Sequence, residues 1–357
     1  MYSHITPNHY FDNNVFKKEQ RNIFRKNWIF VGLKSELKNS NDFISKKIGG
    51  VPIVIQNFNG EIKAFANICS HRFSLIQTEK KGNRGLFCPY HGWAYDKKGK
   101  PCGIPQKPLF GDLTSEDLDK LKLRNYDLEY CGDFIFIHIS LPPQTLKEYL
   151  GNFYEELEIL SNAKQEHIDT NDLTIKANWK IIIENTLESY HVNLVHGETF
   201  KRLGASGLKF DFSEAHSKWT ADLAMDEDDP KLNKIHKRFS SRDFKTKGYI
   251  HYLVYPNLLI STTYGVSYNI SIIEPINEQE TYFSSNVFLA SNEGGSVVDL
   301  YKTSLVDFNR QVFDEDKVIC EYVQEGVEST DQPGMLSLEE KRIHLFQEKY
   351  INQIENV

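Results

Sequence analysis

Two short motifs of cysteine and histidine are the most chemically distinctive part of this 357-residue chain. The first is Cys69-x-His71 and the second is Cys88-x-x-His91. A cysteine and a histidine on one tight loop can bind the same metal centre, and two such loops supply four ligands. Zinc is the usual metal for a set of two cysteines and two histidines, so a zinc knuckle is one interpretation. The two motifs therefore predict a metal site.

The order of the ligands favours a different centre. Each loop supplies one cysteine and one histidine, as in a Rieske [2Fe–2S] cluster, where two thiolates bind one iron and two imidazoles bind the other. Neutral imidazole in place of thiolate removes negative charge and raises the reduction potential. The residues after the second motif, Gly92-Trp93-x-Tyr95, support this interpretation. We therefore predict that Cys69, His71, Cys88 and His91 hold a Rieske cluster.

The chain resembles the large (α) subunits of the Rieske-type aromatic-ring-hydroxylating oxygenases. The resemblance rests on the cluster loops, on Trp28-Ile29-Phe30-Val31-Gly32, and on Asn178-Trp179-Lys180 followed by Glu188-x-Tyr190-His191. It extends over nearly the whole chain. One departure is Phe73, because the family usually has glycine after Cys-x-His-Arg. This departure affects no ligand.

A second constellation includes two histidines. Glu184, Glu188 and His191 are spaced at i, i+4 and i+7, which predicts that they share one face of a helix. His196 lies roughly 140° further round an ideal helix than His191, so the helix must end or bulge between them if both bind one metal. Gly197 favours an end there. A histidine pair at this spacing is common among core and surface residues, and the family resemblance is what points to iron.

A late segment supplies the third candidate ligand. Apolar residues recur at helical spacing over residues 304–327, and Asp316 lies within that stripe, whereas Asp314 and Glu315 point away from it. A carboxylate on a buried helix face is costly unless it is paired or bound to metal, so a buried salt bridge is the alternative. The resemblance implies that Asp316 completes a facial triad with His191 and His196. Such a triad holds Fe(II) and leaves positions open for O2 and substrate.

The resemblance also implies a role for Glu188. The family has an acidic residue, most often Asp, three positions before the first iron histidine. This residue links a cluster histidine of one subunit to an iron histidine of its neighbour, here His91 and His191. A solvated helix carboxylate is the alternative. Electron transfer between neighbours implies a head-to-tail ring, and a homotrimer is expected.

The elements that must position these residues follow an α+β pattern. Apolar residues at helical spacing predict an N-terminal helix over residues 11–31, and short apolar runs predict strands at 51–55, 62–66 and 134–138. Further along the chain, the predicted helices are 145–161, 178–196 and 304–327, and the predicted antiparallel strands are 249–255, 258–263, 266–273 and 282–289.

We therefore expect three parts of the chain. Residues 1–38 are expected to form an N-terminal helical segment that packs on the catalytic domain, residues 39–142 a Rieske [2Fe–2S] domain, and residues 143–357 a catalytic domain with mononuclear non-haem iron. The resemblance implies an all-β first domain and a catalytic domain with an antiparallel sheet in a helix-grip, START-like arrangement.

Composition excludes other classes. A net charge of −7 and the lack of a basic run argue against a nucleic-acid partner. The first twenty residues lack the apolar stretch of a secretory signal, and no apolar run is long enough to span a membrane. Five cysteines in a chain of this length do not indicate a disulfide framework, so a cytoplasmic protein is expected.

The remaining candidate residues are interpreted as structural. Cys102, Cys131 and Cys320 have no ligand-like spacing and are interpreted as buried small residues. His216, His236 and His251 are interpreted as structural or surface residues. The candidates for the substrate pocket wall are four tyrosines, Tyr252, Tyr255, Tyr264 and Tyr268, although core packing is the simpler interpretation of each.

Together the two sites predict a terminal oxygenase. The chain has no Gly-x-Gly-x-x-Gly fingerprint for a nicotinamide or flavin, so a separate NAD(P)H-dependent reductase is expected, with or without a ferredoxin. The predicted reaction is mono- or dioxygenation, or oxidative demethylation, of a small organic substrate that is aromatic or quaternary-amine-like. The alternative is a Rieske electron-transfer protein or a ligand-binding protein without oxygenase activity.

Overall fold

The computed structural model describes residues 2–223 and 248–355, together with Phe239, Phe244 and Thr246. His236 lies outside these residues. The chain divides into two compact units. The first unit is Ile23–Tyr149, and the second joins residues 2–22 to the described residues from Leu150 onward.

Strands and helices are numbered here in chain order. The strands of the first unit are β1 (Ile29–Leu33), β2 (Asp42–Ile48), β3 (Val51–Phe58), β4 (Glu61–Ala66), β5 (Lys81–Asn83), β6 (Ala94–Tyr95), β7 (Pro101–Gly103), β8 (Asn125–Cys131) and β9 (Phe134–His138). The strands of the second unit are β10 (Glu166–Ile175), β11 (Ala205–Ser213), β12 (His216–Leu223), β13 (Tyr249–Val254), β14 (Leu258–Thr263), β15 (Ser267–Asn277) and β16 (Glu280–Leu289). The α-helices with described bounds are α1 (Asn13–Asn22), α2 (Ser115–Lys120), α3 (Leu146–Leu150), α4 (Tyr154–Ala163), α5 (Trp179–Thr186), α6 (Val192–Val195), α7 (Ser296–Val327) and α8 (Lys341–Glu355).

The first unit is built on a seven-stranded antiparallel sheet. Its strand order is β1-β9-β8-β4-β3-β2-β5, and β6 pairs separately with β7. The strands predicted at 51–55, 62–66 and 134–138 are confirmed as β3, β4 and β9. Val54 of β3 and Phe65 of β4 share a buried core with Cys69, Cys88 and Trp93. This core therefore anchors the two cysteine-containing loops.

The N-terminal segment differs from the predicted single helix. Helix α1 ends at Asn22, and residues 29–33, expected to be helical, form strand β1, which pairs with β9. All five residues of β1 are buried, and a short, continuously buried apolar run is typical of a strand with both faces covered. Since β1 belongs to the first unit, the boundary expected at residue 39 lies inside that unit.

The second unit contains a seven-stranded antiparallel sheet flanked by helices. Its order is β10-β16-β15-β14-β13-β12-β11. The four predicted strands are confirmed as β13 to β16, while β10, β11 and β12 were not predicted. The helix predicted at 145–161 is interrupted at Gly151, whose φ of +54° is left-handed, and the late helix begins earlier than predicted, at Ser296. The α+β class is confirmed.

A buried polar network fixes helix α5, which leads to the candidate iron site. Asn178 caps the helix by accepting a hydrogen bond from the Lys180 backbone N–H. The Lys180 ammonium lies 2.5 Å from a Glu19 carboxylate oxygen, and neither side chain is exposed. Glu19 also accepts hydrogen bonds from Trp179 Nε1 and the Tyr350 hydroxyl. Removing one partner of such a pair leaves an uncompensated buried charge, which typically costs about 3–5 kcal/mol.

Candidate functional site

The first unit brings the four predicted cluster residues together on two loops. Cys69 and His71 follow β4, and Cys88 and His91 precede β6. Both cysteines are buried, and the ring centroids of the two histidines lie 4.6 Å apart. Burial, together with the neighbouring Cys88, raises the pKa of the Cys69 thiol. In the bare protein the Cys69 thiol therefore resists ionisation, and a bound metal would stabilise its thiolate.

Neighbouring aromatic residues hold these loops in place. The Tyr95 hydroxyl lies 3.1 Å from Cys69 Sγ and accepts a hydrogen bond from the Ser70 N–H at 3.0 Å. The indole of Trp93 stacks on the His71 ring with 5.0 Å between centroids and 6° between planes. His71 Nδ1 is buried and has no hydrogen-bond partner within the described part of the chain. An orphaned buried nitrogen beside two thiols fits a metal-binding role, so the residues present suit a [2Fe–2S] cluster.

Phe73, the position that departs from the family pattern, has an unusual backbone. Its φ is +62°, a left-handed conformation, and 79% of the residue is exposed. Glycine adopts this conformation without steric cost, whereas other residues pay roughly 1–2 kcal/mol. The turn geometry thus suits glycine, and the phenylalanine ring is accommodated because it extends into solvent.

The second unit brings together the three predicted iron ligands. His191 and His196 flank the short helix α6 as its N-cap and C-cap, and Asp316 comes from α7. Asp316 Oδ1 lies 3.0 Å from His196 Nε2 and 3.7 Å from His191 Nε2. One ligand atom from each residue lies within 4.8 Å of the others. Two imidazoles and one carboxylate at this spacing suit Fe(II) with open coordination positions.

Each imidazole is oriented by a second carboxylate. His191 Nδ1 contacts Glu188 Oε1, and His196 Nδ1 lies 2.7 Å from Glu315 Oε2. Because a carboxylate only accepts hydrogen bonds, each Nδ1 carries the proton and each Nε2 presents its lone pair toward Asp316. This is the usual arrangement of metal-binding histidines.

Glu315 and Asp316 each accept a further hydrogen bond, from Thr199 and Asn185 respectively. Glu315 Oε2 also accepts a hydrogen bond from the Thr199 hydroxyl at 2.9 Å. Asn185 Nδ2 donates to Asp316 Oδ1 at 2.8 Å. Burial alone lowers the pKa of His196, but hydrogen bonds and charge from Asp316 and Glu315 outweigh it, so the pKa is raised overall. In the metal-free protein this carboxylate environment favours a cation, which is what a ferrous ion supplies.

Two expectations about this site need correction. Helix α5 ends at Thr186, so Glu184, Glu188 and His191 do not share a helix face. Glu184 instead accepts hydrogen bonds from the Tyr10 hydroxyl and Gln347 Nε2, away from the histidines. Helix α6 ends at Val195, so the chain leaves the helix between the two histidines, as expected if both imidazoles are to reach one metal. Glu315, which was expected to point away from the apolar stripe of the late helix and was given no role, orients His196.

A cavity of about 440 Å³ adjoins the three ligands. His191, His196 and Asp316 form part of its wall. Of the four tyrosine candidates, Tyr268 lines the cavity, while Tyr252, Tyr255 and Tyr264 are buried in the core.

The alternation of side chains along β13 explains why some of its residues line the cavity and others pack in the core. Side chains of successive strand residues point to opposite faces, so Tyr249 and His251 line the cavity while Tyr252 packs against Phe153. His251, interpreted from sequence as a structural or surface residue, is thus a cavity residue. His216 is buried and accepts a hydrogen bond from the Tyr255 N–H.

None of the described helices combines the length and apolar character needed to cross a bilayer.

Each unit therefore carries one constellation suited to iron, and this pairing defines a two-centre oxygenase class. The chain belongs to the Rieske non-haem iron oxygenase α-subunit family. Residues 157–356 match the family model of the ring hydroxylating alpha subunit (catalytic domain), and residues 27–121 match that of the Rieske [2Fe-2S] domain. The chain is thus an oxidoreductase whose cofactors are a [2Fe–2S] cluster and mononuclear iron, with O2 as co-substrate.

Two curated relatives and one solved structure illustrate the similarity. The glycine betaine monooxygenase oxygenase subunit of Chromohalobacter salexigens is 32% identical over 54% of this chain, an alignment that spans 43% of that relative. The carnitine monooxygenase oxygenase subunit of Escherichia coli K12 is 27% identical over 91% of this chain and 84% of the relative. The crystal structure of the quaternary ammonium Rieske monooxygenase CntA with L-carnitine has a TM-score of 0.81 and 20% identity, covering 99% of this chain and 95% of that one.

Proposed function

We propose that this protein is a terminal oxygenase in which Cys69, His71, Cys88 and His91 hold the Rieske cluster and His191, His196 and Asp316 hold the iron. Its substrate is a small organic molecule, aromatic or quaternary-amine-like, and its electrons come from a separate NAD(P)H-dependent reductase. The observation that carries this proposal is the triad of ligand atoms within 4.8 Å at the wall of a cavity of about 440 Å³.

The residues around the triad prepare it for iron and for substrate. When bound, the cluster supplies electrons one at a time and the iron is where O2 is activated. Glu188 and Glu315 keep the protons of both imidazoles on Nδ1, and Asn185 fixes the orientation of Asp316. Phe200 packs on the His196 ring at 5.4 Å between centroids, which excludes water from one side of the site.

Two exposed apolar patches support electron transfer between subunits. The cluster patch of the first unit includes Phe73 and Tyr90, which are 79% and 57% exposed, and the Tyr90 ring lies 3.7 Å from that of His91. The iron patch of the second unit includes Tyr190 and Leu194, which are 84% and 90% exposed and flank His191 in the chain. Large exposed apolar residues beside a functional site indicate a protein interface.

A contact between the cluster patch of one subunit and the iron patch of the next would be heterologous, and such contacts form a ring where the rotation between subunits closes. We therefore propose a homotrimeric ring in which Glu188 connects His191 to His91 of the neighbour. A cytoplasmic location is part of the same proposal, because the five cysteines, all of them among the described residues, form no disulfide and free thiols are typical of reducing compartments.

Metal analysis tests the two-centre proposal. The holoenzyme is expected to contain three irons per chain, two in the cluster and one in the triad. Two irons per chain would favour an electron carrier or a ligand-binding protein. Turnover with a reductase under 18O2 then shows whether one or both oxygen atoms enter the product.

A substitution tests the relay. Glu188→Gln keeps an acceptor for His191 but removes the charge, so both centres should stay loaded while cluster oxidation in a single turnover slows by about 10–100-fold. Asp307→Asn, which changes an exposed carboxylate on α7, is the matched control. Undiminished turnover in Glu188→Gln would remove Glu188 from the relay.

A further inference from the structure

One wall of the cavity is a row of side chains that crosses four strands. Trp219 of β12 pairs with His251 of β13, His251 pairs with Ser261 of β14, and Ser261 pairs with Asn269 of β15. Directly paired residues of antiparallel strands point to the same face of the sheet. All four residues line the cavity, so this face of the sheet forms one wall of the cavity.

A buried guanidinium lies on the same face of the sheet. Arg342, from the first turn of α8, donates from Nε to the Ser217 hydroxyl at 2.9 Å and from Nη2 to the Ser217 carbonyl at 3.3 Å. Its Nη2 also lies 3.1 Å from His251 Nδ1. The residue is only 1% exposed, and no carboxylate pairs with it within the described ranges 2–223 and 248–355. A buried cation without a counter-ion is costly, which marks this place as suited to an anion.

The guanidinium determines which hydrogen-bond donors His251 and its neighbours present. Arginine can only donate, so His251 Nδ1 accepts and the ring proton lies on Nε2. Burial and the Arg342 charge hold the pKa of His251 well below its usual range, so the imidazole stays neutral. Trp219 Nε1 is buried and has no acceptor among the residues that the structure describes. The Trp219 end of the row thus offers two N–H donors backed by a fixed positive charge.

We propose that the cavity end formed by Trp219 and His251, with Arg342 behind them, binds the carboxylate of an acidic substrate. This proposal rests on the proposed oxygenase function and specifies its substrate class. The acidic residues that line the cavity do not compete for these donors: Glu188 and Asp316 are hydrogen-bonded at the triad, and Glu339 is exposed.

The distance from the triad suits a small acid. Successive ring contacts connect His196 to Phe200, Phe200 to Tyr249 and Tyr249 to Trp219, with 5.4, 6.1 and 5.2 Å between centroids. Trp219 and the three iron ligands line the same cavity of about 440 Å³, so a small acid held by its carboxylate at Trp219 shares that cavity with the triad.

Binding of matched acids and amides tests the proposal. The probes are benzoate with benzamide, and glycine betaine with its amide, titrated calorimetrically into anaerobic holoenzyme. Each amide keeps the shape and a carbonyl acceptor but lacks the charge. We expect at least one acid to bind about tenfold more tightly than its amide, the effect of a charge-assisted hydrogen bond.

Three variants test which residues cause the tighter binding of the acid than of its amide. Trp219→Phe removes one N–H and keeps an aromatic ring, so the acid-to-amide ratio should fall several-fold while amide affinity stays within about twofold. Arg342→Gln should abolish the preference; should it fail to fold, Trp219→Phe carries the test. Trp28→Phe is the matched control, because it removes an indole N–H that donates to the Gln144 carbonyl in the first unit, and its ratio should equal that of the wild type.

The proposal is overturned if neither acid binds more tightly than its amide, or if Trp219→Phe keeps the full acid preference. Calorimetry needs no turnover. Loss of the acid preference in a protein with three irons per chain and substrate oxidation would therefore refute only the carboxylate site. A protein with two irons per chain would refute the oxygenase function instead.

Discussion

Glu315 should control how tightly the protein binds iron. Its Oε2 accepts hydrogen bonds from His196 Nδ1 at 2.7 Å and from the Thr199 hydroxyl at 2.9 Å. Glu315→Ala removes the acceptor of both hydrogen bonds, so the His196 ring loses its fixed tautomer and part of its basicity. Loss of such a partner typically weakens metal affinity by about 10–100-fold, which corresponds to about 1.4–2.7 kcal/mol. Glu315→Gln keeps one acceptor oxygen and should fall between the wild type and Glu315→Ala.

Competition with a chelator measures this effect. Fe(II) is titrated anaerobically against a chelator of known affinity, and the cluster absorbance of the first unit serves as an internal reference for protein integrity. Asp314→Asn is the matched control, because Asp314 precedes Glu315 on α7 but is exposed; its iron affinity should equal that of the wild type. An affinity of Glu315→Ala within twofold of the wild type would refute the orienting role.

Two other substitutions test the ionisation of the Glu184 carboxyl group and the left-handed backbone conformation of Phe73. Burial raises the pKa of Glu184 to about 7 from its usual 4.5, despite hydrogen bonds from Gln347 and Tyr10. The folded state thus holds this proton more tightly than the unfolded state, so the contribution of Glu184 to stability is fully present below pH 4.5 and is lost as the pH rises through 7. Relative to wild type, Glu184→Gln should gain up to about 3 kcal/mol between pH 4.5 and 8, measured by denaturant unfolding; a pH-independent difference would contradict this. Phe73→Gly should stabilise the first unit by up to about 1 kcal/mol, because glycine relieves the left-handed φ of +62° at some cost in chain entropy. Phe73→Ala, which keeps Cβ, should give no gain, and equal melting temperatures for the two variants would argue against backbone strain.

The sequence predicts the strands best where burial is continuous. Strands β13 to β16 are rich in buried apolar residues, and each was predicted within a few residues of its observed bounds, apart from the polar end of β15. Strand β11 was not predicted because most of its residues are exposed, so the pattern lacks the apolar alternation of a half-buried strand. Strand β1 was predicted as helix because apolar residues before it, such as Ile23 and Trp28, fall by coincidence at helical spacing.

The candidate ligands follow from the sequence more directly than the residues that orient them. His191, His196 and Asp316 stand out through residue type, spacing and position in an apolar stripe, and the structure brings them together. Glu315 is indistinguishable in sequence from the solvated carboxylates around it.

The residues of the proposed carboxylate site could not be predicted from the sequence either. Trp219 and Arg342 belong to a strand and a helix that are far apart in the chain, and only tertiary pairing brings them to His251. A periodic pattern within a single segment of sequence cannot reveal contacts between segments that are distant in the chain.

The ion pair between Glu19 and Lys180 has a consequence for synthesis on the ribosome. Both charges are fully buried in the second unit, whose parts are separated in the chain by the whole first unit. At roughly 5–20 residues per second, Glu19 emerges well before its partner, and about 10–30 s pass before Lys180 is made. During that interval the first unit can complete its sheet, while the amino-terminal segment must wait, with Ile5 and Tyr10 unburied, for the distal half to arrive. Slow elongation or premature termination after the first unit would therefore leave this segment as the part of the nascent chain most exposed to chaperones and proteases.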